Sequence, residues 1–323
     1  MFDILTVGEI LIDLTQSGVS ENGIPIYSAN PGGAPANVAV AASRLGASAA
    51  FIGKVGNDAY GKFLLKTLKI NNVNTDGVIV SNSANTTLAV VSVNEKGERG
   101  FAFYRKNSAD TLLSENEITD KQLSNTHILH FGSVSLTDEP SRTATLSAVK
   151  RAKALGATIT YDPNYRASLW NSEAEAVKQM KKPLSLVDVL KVSDEEIPLI
   201  CRTDNIEEAA KQLCERYDIK LVLVTLGAKG AYYRFKDMSG IAEGINVTVA
   251  DTNGAGDTFF GAFLSRMAHI KKYNPSELSE EDVKQALAFA NRAAAITTSR
   301  SGAIPAMPNL NEVELTYTEV KKQ

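Results

Sequence analysis

For most of the chain, short runs of Ile, Val and Leu alternate with longer stretches in which apolar residues recur at helical spacing. Residues 2–7 read as a first strand and residues 36–45 as an alanine-rich helix. A strand at 50–54, a helix at 60–68 and a strand at 78–80 follow. Further strands are expected at 127–131, 158–161, 187–192, 221–225 and 245–249, with helical patterns between them. Apolar strands separated by helices predict an α/β fold, a mostly parallel central sheet with helices on both faces.

Two stretches break this rhythm. Residues 12–28 carry no helical pattern, and residues 86–93 and 99–104 read as two strands around the turn Asn94-Glu-Lys-Gly97. Segments 12–28 and 86–106 are therefore expected to form a small β-sheet that projects beside a cleft as a lid. With no repeat, low-complexity tract or long linker, residues 1–323 are expected to form a single domain carrying that lid.

Composition narrows the class. The chain has 323 residues, 44% of them hydrophobic and 22% charged, which suits a globular protein with a large core. A formal net charge of −3 offers no broad basic surface for nucleic acid or an anionic membrane. No apolar run approaches the ~18 residues a spanning helix needs. The N-terminus shows no basic segment followed by a cleavage site, and Cys201 and Cys214 form no ligand pattern, so a cytoplasmic protein with reduced thiols is expected. P-loop, dinucleotide-binding and protein-kinase signatures are all missing.

The candidate chemistry begins at Asp251-Thr-Asn253-Gly254-Ala255-Gly256-Asp257, which runs straight into an apolar helical pattern. A turn of small residues exposes backbone N–H groups, and a helix start adds more, so the segment predicts an anion site suited to phosphate. Asp257 would repel a phosphate unless it removes a proton from an attacking hydroxyl. Other strands end in polar or glycine-rich segments: Asp162-Pro-Asn164-Tyr-Arg166, Ser193-Asp-Glu-Glu196 and Thr225-Leu-Gly227-Ala-Lys-Gly230. In an open parallel sheet ligands bind beyond the carboxyl ends of the strands, so these segments predict a nucleotide and metal cleft. Near the N-terminus, strand alternation places Glu9 and Asp13 on one face, and Gly32-Gly33-Ala-Pro-Ala-Asn37 opens a helix of small residues. A carboxylate, an amide and bare backbone suit a polyhydroxyl sugar. Arg105 follows the second hairpin strand on the face of Phe101 and Phe103, where it could reach from the lid into the cleft.

These motifs carry a resemblance. Gly32–Asn37 with Arg44-Leu-Gly46 and Gly53-Lys-Val-Gly-Asn-Asp58, together with Asp251–Asp257, resemble the two signatures of the ribokinase-like (PfkB) carbohydrate kinases. Phe103-Tyr-Arg105, Ser108-Ala-Asp110 and Asp162–Arg166 look most like the bacterial fructokinase branch. The resemblance spans essentially the whole chain and implies ATP- and Mg2+-dependent phosphorylation of a sugar hydroxyl under a β-sheet lid. D-fructose is the expected sugar, with 2-keto-3-deoxygluconate kinase or another ribokinase-family kinase as the alternative; a non-catalytic sugar-binding relative is the reading from another class. Position by position, it implies Asp257 as catalytic base with the Gly254–Asp257 backbone as anion hole. It implies Asp13, Gly32, Gly33, Asn37, Arg105, Asn164 and Arg166 as sugar contacts, and Ser193, Thr225, Gly227, Gly230 and Asn291 around the nucleotide. Glu196 is implied to organise magnesium indirectly. A monovalent cation, K+, is implied between Asp251, Asn253, Thr297, Arg300 and Gly302, partly through backbone. Two departures stand out: Ser193 replaces the amide that opens the family's Asn-x-x-Glu motif, and Ala306 stands where some relatives carry serine. Exposed lid strands imply a homodimer.

Overall fold

Alternating burial along the strands sorts the apolar residues onto two faces of one large sheet. The computed structural model describes residues 1–93 and 99–320. The turn expected at Asn94-Glu-Lys-Gly97 and the side chain of Phe101 lie outside what is described. The strands are β1 (Phe2–Val7), β2 (Leu11–Val19), β3 (Pro25–Gly32), β4 (Ala49–Gly56), β5 (Asn74–Ser81), β6 (Leu88–Val93), β7 (Arg99–Tyr104), β8 (Thr126–Gly132), β9 (Thr158–Asp162), β10 (Val189–Ser193), β11 (Leu221–Thr225), β12 (Gly230–Phe235) and β13 (Met238–Glu243). The helices are α1 (Ala34–Arg44), α2 (Ala59–Ile70), α3 (Asp120–Leu123), α4 (Ser141–Ala154), α5 (Glu173–Lys181), α6 (Ile197–Cys201), α7 (Ile206–Tyr217), α8 (Ala255–His269), α9 (Glu280–Thr298) and α10 (Leu310–Val320).

The large sheet has the order β13-β12-β11-β10-β9-β8-β1-β4-β5. It is parallel from β5 to β11, and β12 and β13 extend it as an antiparallel edge. Leu129, Phe131, Ile159, Tyr161, Leu190 and Val192 pack with α4 and α7 on one face. Ile4, Ile128, Val189, Leu221 and Leu223 face the other way, onto Phe259, Phe260 and Phe263 of α8 and Leu287 and Ala290 of α9. The alternation is the two-residue period of a strand buried on both sides. It also puts Lys191, two residues past Val189, on the α8 side.

The small sheet has the order β3-β2-β6-β7, antiparallel at both outer pairs and parallel between β2 and β6. The strands β2, β3, β6 and β7 thus form a small separate sheet, as expected. One expectation fails. Residues 245–249 are not a strand; the strands beyond β11 are β12 and β13, joined through Lys236, which takes a positive φ of 55°. The alternating Ile245-Asn-Val-Thr-Val249 forms part of a cavity wall instead, where Ile245, Val247 and Val249 line it together with Asn246. The hairpin escaped notice because its turn, Lys236-Asp237, lacks the Asn-Gly or Asp-Gly pair that normally announces one.

Helices α1 and α8 pack backbone to backbone. Pro35 in the first turn of α1 presets its φ, and the residues that follow are mostly Ala and Val. At Gly261 of α8, a Cβ would lie 2.7 Å from the Ala41 Cβ and 2.8 Å from the Val38 carbonyl oxygen. One turn nearer the N-terminus of each helix stand Asn37 and Asp257. Among the described residues no helix is long and apolar enough to cross a membrane.

Gly261→Val should push α1 and α8 apart and destabilise the fold by about 1–3 kcal/mol, as overpacking of a close contact does. Urea unfolding measures this; an unchanged midpoint would show that the two backbones do not depend on that contact.

Candidate active site

Helix α8 begins at Gly254, whose φ of 74° is left-handed and whose Cβ would press against Ala303 at 3.0 Å. Glycine satisfies both demands. No side chain caps this helix start. The amide of Ala255 reaches the Thr252 carbonyl at 3.3 Å, while those of Gly256 and Asp257 have no acceptor within the helix. They face the macrodipole's positive end, which favours an anion.

Asp257 is buried, and its Oδ2 accepts a 2.8 Å hydrogen bond from the Asn37 amide. Burial pushes its carboxyl above the usual carboxylate range, opposed by that bond and by Lys191 and Arg166. On this side of α8 lies a cavity lined by Glu9, Asp13, Gly33, Asn37, Asn164, Arg166, Asn253 and Asp257, with Leu11, Ala34, Phe103 and Val134 as its apolar wall. Gly33 has a φ of 107°, and a Cβ there would strike the Glu9 carbonyl oxygen at 2.6 Å. Gly32 leaves room for the Asp13 carboxylate in the same way, 2.4 Å from where its own Cβ would be. Burial raises Asp13 to about 6. Two polar atoms in the wall, Asn37 Oδ1 and Glu9 Oε2, are buried with no hydrogen-bond partner among the described residues.

A second cavity, about 290 Å³, opens on the other side of the same helix start. Thr225, Gly227, Gly230 and Asn291 border it, with Gly244, Ala255 and Gly256. Its walls include Ile245, Val247, Val249, Phe259 and Ala294, apolar surfaces for a flat ring. Asn291 donates to the carbonyls of Ala242 and Glu243, both at 2.9 Å, and so ties α9 to β13 at the cavity's rim. The two cavities meet where Gly256, in the wall of one, precedes Asp257, in the wall of the other.

Other expected residues stand apart. Arg105 is buried and lines neither cavity. Its guanidinium donates to Asp110 (2.7 Å), Thr137 (2.5 Å), Asp138 (3.2 Å) and the Val134 carbonyl (3.0 Å). Ser193 and Glu196 bond each other reciprocally: the Ser193 amide donates to Glu196 Oε2 at 2.8 Å and the Glu196 amide to Ser193 Oγ at 3.3 Å. The Tyr165 amide takes the other Glu196 oxygen at 2.7 Å, so this carboxylate clamps the ends of β9 and β10 and lines neither cavity. Asp251 accepts from the amides of Asn253 (2.7 Å) and Gly302 (3.1 Å). The side chain of Thr297 faces Thr258, and that of Arg300 pairs with Glu312. Toward Asp251 these two residues can offer only backbone.

Motif reasoning missed one pair. Lys191 Nζ donates to Asp162 Oδ2 at 2.8 Å, with both side chains buried. A lysine inside Val189-Leu-Lys-Val is a signal in itself, because lysine is almost never fully buried unless paired.

Glu9 provides a pH test. Its Oε1 accepts from the Ala34 amide at 3.0 Å, and burial raises its carboxyl from 4.5 to about 7, with Arg105 and Asp110 acting in opposite senses. A carboxyl whose folded pKa lies above its unfolded one stabilises the fold below the unfolded value. That contribution is lost as pH rises through the folded value. Glu9→Gln keeps the acceptor for Ala34 and never ionises. It should therefore gain stability over the parent between pH 5 and pH 8, by up to about 3 kcal/mol. Thermal melts at both pH values decide; a gap that stays constant would show that Glu9 does not titrate in this window.

Comparison with known proteins agrees with this geometry. The profile of the pfkB family carbohydrate kinases matches residues 1–310. Fructokinase-1 of Zea mays is 42% identical over 313 residues, which cover 96% of each chain. A fructokinase with bound ATP from Xylella fastidiosa superposes with a TM-score of 0.90 at 34% identity, covering 99% of both chains. A fructokinase double mutant from Vibrio cholerae O395, bound to fructose, ADP and potassium ion, gives a TM-score of 0.87 at 34% identity over 97% of this chain and 98% of its own. With a cavity on each side of the α8 start and a match along nearly its full length, the chain belongs to the pfkB family of carbohydrate kinases.

Proposed function

We propose that this protein is a fructokinase: it transfers the γ-phosphate of ATP to a hydroxyl of D-fructose at the start of α8. The observation that carries the reading is the junction of the two cavities at successive residues, Gly256 and Asp257. A donor in one cavity and an acceptor in the other approach each other across a single peptide.

Fructose occupies the cavity of Asp13, Asn37, Asn164 and Arg166. A sugar there would supply hydroxyl donors for the unpaired Asn37 Oδ1 and Glu9 Oε2, which is chemistry the wall leaves open. Asp257 accepts the proton of the attacking hydroxyl. Its raised pKa makes it a better acceptor than a surface carboxylate, and the Asn37 bond holds it in place. The amides from Gly254 to Asp257 receive the γ-phosphate oxygens as charge develops, the fixed-dipole role on which phosphoryl transfer depends. Adenine lies against the apolar wall near Asn291, with Thr225, Gly227 and Gly230 around the phosphates.

Magnesium, when bound to ATP, neutralises phosphate charge during transfer. Glu196 fits an indirect role toward it: the two backbone amides it already accepts fix Asn164–Arg166 and Ser193 beside the site. The donor set for potassium is equally plain. Asp251 and the backbone of residues 298–302 supply hard oxygens, which suit that ion. Arg105 would act on the sugar from behind, by fixing Val134 in the cavity wall. The small sheet would close over the sugar through Leu11, Asp13 and Phe103. Its outer strand β3 exposes Ile26 and Tyr27, with Val19 and Ile24 nearby, an apolar edge suited to pairing with a second copy. We place the reaction in the cytoplasm.

Asp257→Asn should lower kcat by about 10²–10⁴-fold or more, while calorimetry finds fructose and ATP binding close to the parent. Near-parental turnover would remove Asp257 as the base. Across fructose, ribose and 2-keto-3-deoxygluconate, ATP consumption should give the highest kcat/KM for fructose; preference for another sugar would overturn that assignment. Ile26→Asp with Tyr27→Asp should convert a dimer to a monomer in sedimentation. An unchanged mass would place any self-association elsewhere.

A further inference from the structure

The Lys191–Asp162 pair is more than a buried ion pair. Lys191 belongs to β10, on the face directed at α8, and its ammonium stands behind Gly256. A Cβ built on Gly256 would lie 2.9 Å from Lys191 Nζ and 3.6 Å from its Cε, and outside α8 itself no other atom of the described residues comes within 4 Å of that point. Gly256 is not among the glycines with positive φ, so backbone conformation does not require glycine here. The ammonium does. The second glycine of Gly-Ala-Gly makes room for a cation directly behind the helix start.

Stability does not account for such a pair. A buried ion pair replaced by apolar side chains of similar volume is often neutral or better, because both charges lose their hydration. Asp162 Oδ2 is the one acceptor that Lys191 meets among the described residues, leaving two of its three N–H donors without one. The surroundings are acidic: Asp162 from β9, Glu196 beyond β10 and Asp257 from α8 all act on the ammonium. Around this cluster lie Arg166, which acts on Asp257, the buried, uncharged His130, on which Lys191 acts, and the buried Tyr161 beside Asp162 and Glu196. Burial alone would weaken the ammonium, but Asp162 and Glu196 outweigh it and hold it firmly protonated. Without this cation, Asp162, Glu196 and Asp257 would surround its place, and Arg166 would be the remaining cation acting on Asp257.

We propose that Lys191 is the positioning charge of the phosphate site, held from behind by Asp162, and that it stabilises the transferring phosphoryl group through the Gly256 backbone. The proposal rests on the kinase reading above, in that the start of α8 must receive the γ-phosphate. It makes Lys191 and Asp162 unequal: the lysine acts on the phosphate, and the aspartate only holds the lysine.

Three variants separate this role from a structural one. Lys191→Met removes the cation, Asp162→Asn removes its holder, and the double variant removes both charges together. Each is followed by kcat with fructose, by calorimetric affinity for ADP and for the non-hydrolysable analogue AMP-PNP, and by thermal melting. Lys191→Met and the double variant should lose about 10²–10³-fold in kcat, the usual cost of one oxyanion-stabilising group. Their ADP affinity should persist while the preference for AMP-PNP over ADP shrinks about tenfold, since only the γ-phosphate senses the lysine. Asp162→Asn should lose far less. A double variant that recovers near-parental kcat, or an Asp162→Asn loss equal to that of Lys191→Met, would make the pair structural and overturn the proposal, as would equal losses of ADP and AMP-PNP affinity. Should the double variant fail to fold, the comparison of the two single variants decides alone. A parent enzyme that keeps the AMP-PNP preference yet ignores fructose would overturn the sugar assignment and not this one.

Discussion

The approach of α1 to α8 is the constraint on which the rest depends. Gly261 against Ala41 brings the two backbones into contact, and one turn away Asn37 meets Asp257 at 2.8 Å. The first contact is steric and the second polar, and the first makes the second possible. Asn37 and Asp257 are separated by 220 positions in sequence, so only the packing of small residues along both helices can hold them in register. The alanine content of α1 and the glycine at position 261 of α8 are thereby explained by geometry rather than by helix propensity.

Charge is the second theme. Glu9, Asp13, Asp162 and Asp257 are all buried near the carboxyl edge of the parallel sheet, where each would be costly in isolation. The structure offsets them with Arg105, Arg166 and Lys191 and with backbone amides, and it leaves selected atoms unpaired. Two of those atoms, Glu9 Oε2 and Asn37 Oδ1, belong to the wall of the sugar-side cavity, while the start of α8 stands between that cavity and its neighbour. An arrangement of this kind is tuned to the charge and donors of its ligands more than to the stability of the empty fold.

Much of this was legible in the chain. The strands β1, β4, β8, β9, β10 and β11 are apolar runs buried on both faces, which leave little ambiguity, and Gly254–Asp257 announces itself because three small residues rarely open a helix without a reason. Residues 245–249 misled because a cavity wall and a strand both alternate. Arg105 lies just beyond the end of β7 at Tyr104, so strand parity alone does not fix where its side chain goes. Lys191 and Asp162 were hidden by separation, 29 residues apart on neighbouring strands, and joined by a register that only the folded sheet reveals. The reciprocal bonds of Ser193 and Glu196 show how a serine can stand at the first position of the Asn-x-x-Glu motif and still organise the end of β10.

The central claim is that Asp257 acts as an ionised base held by Asn37, and the acid limb of the kcat/KM profile for fructose tests it most directly. Asn37→Leu removes the donated bond without opening the site to water. Burial would then act on Asp257 less opposed, so the limb should move to higher pH in the variant. An acid limb at the same pH in both proteins would contradict the account.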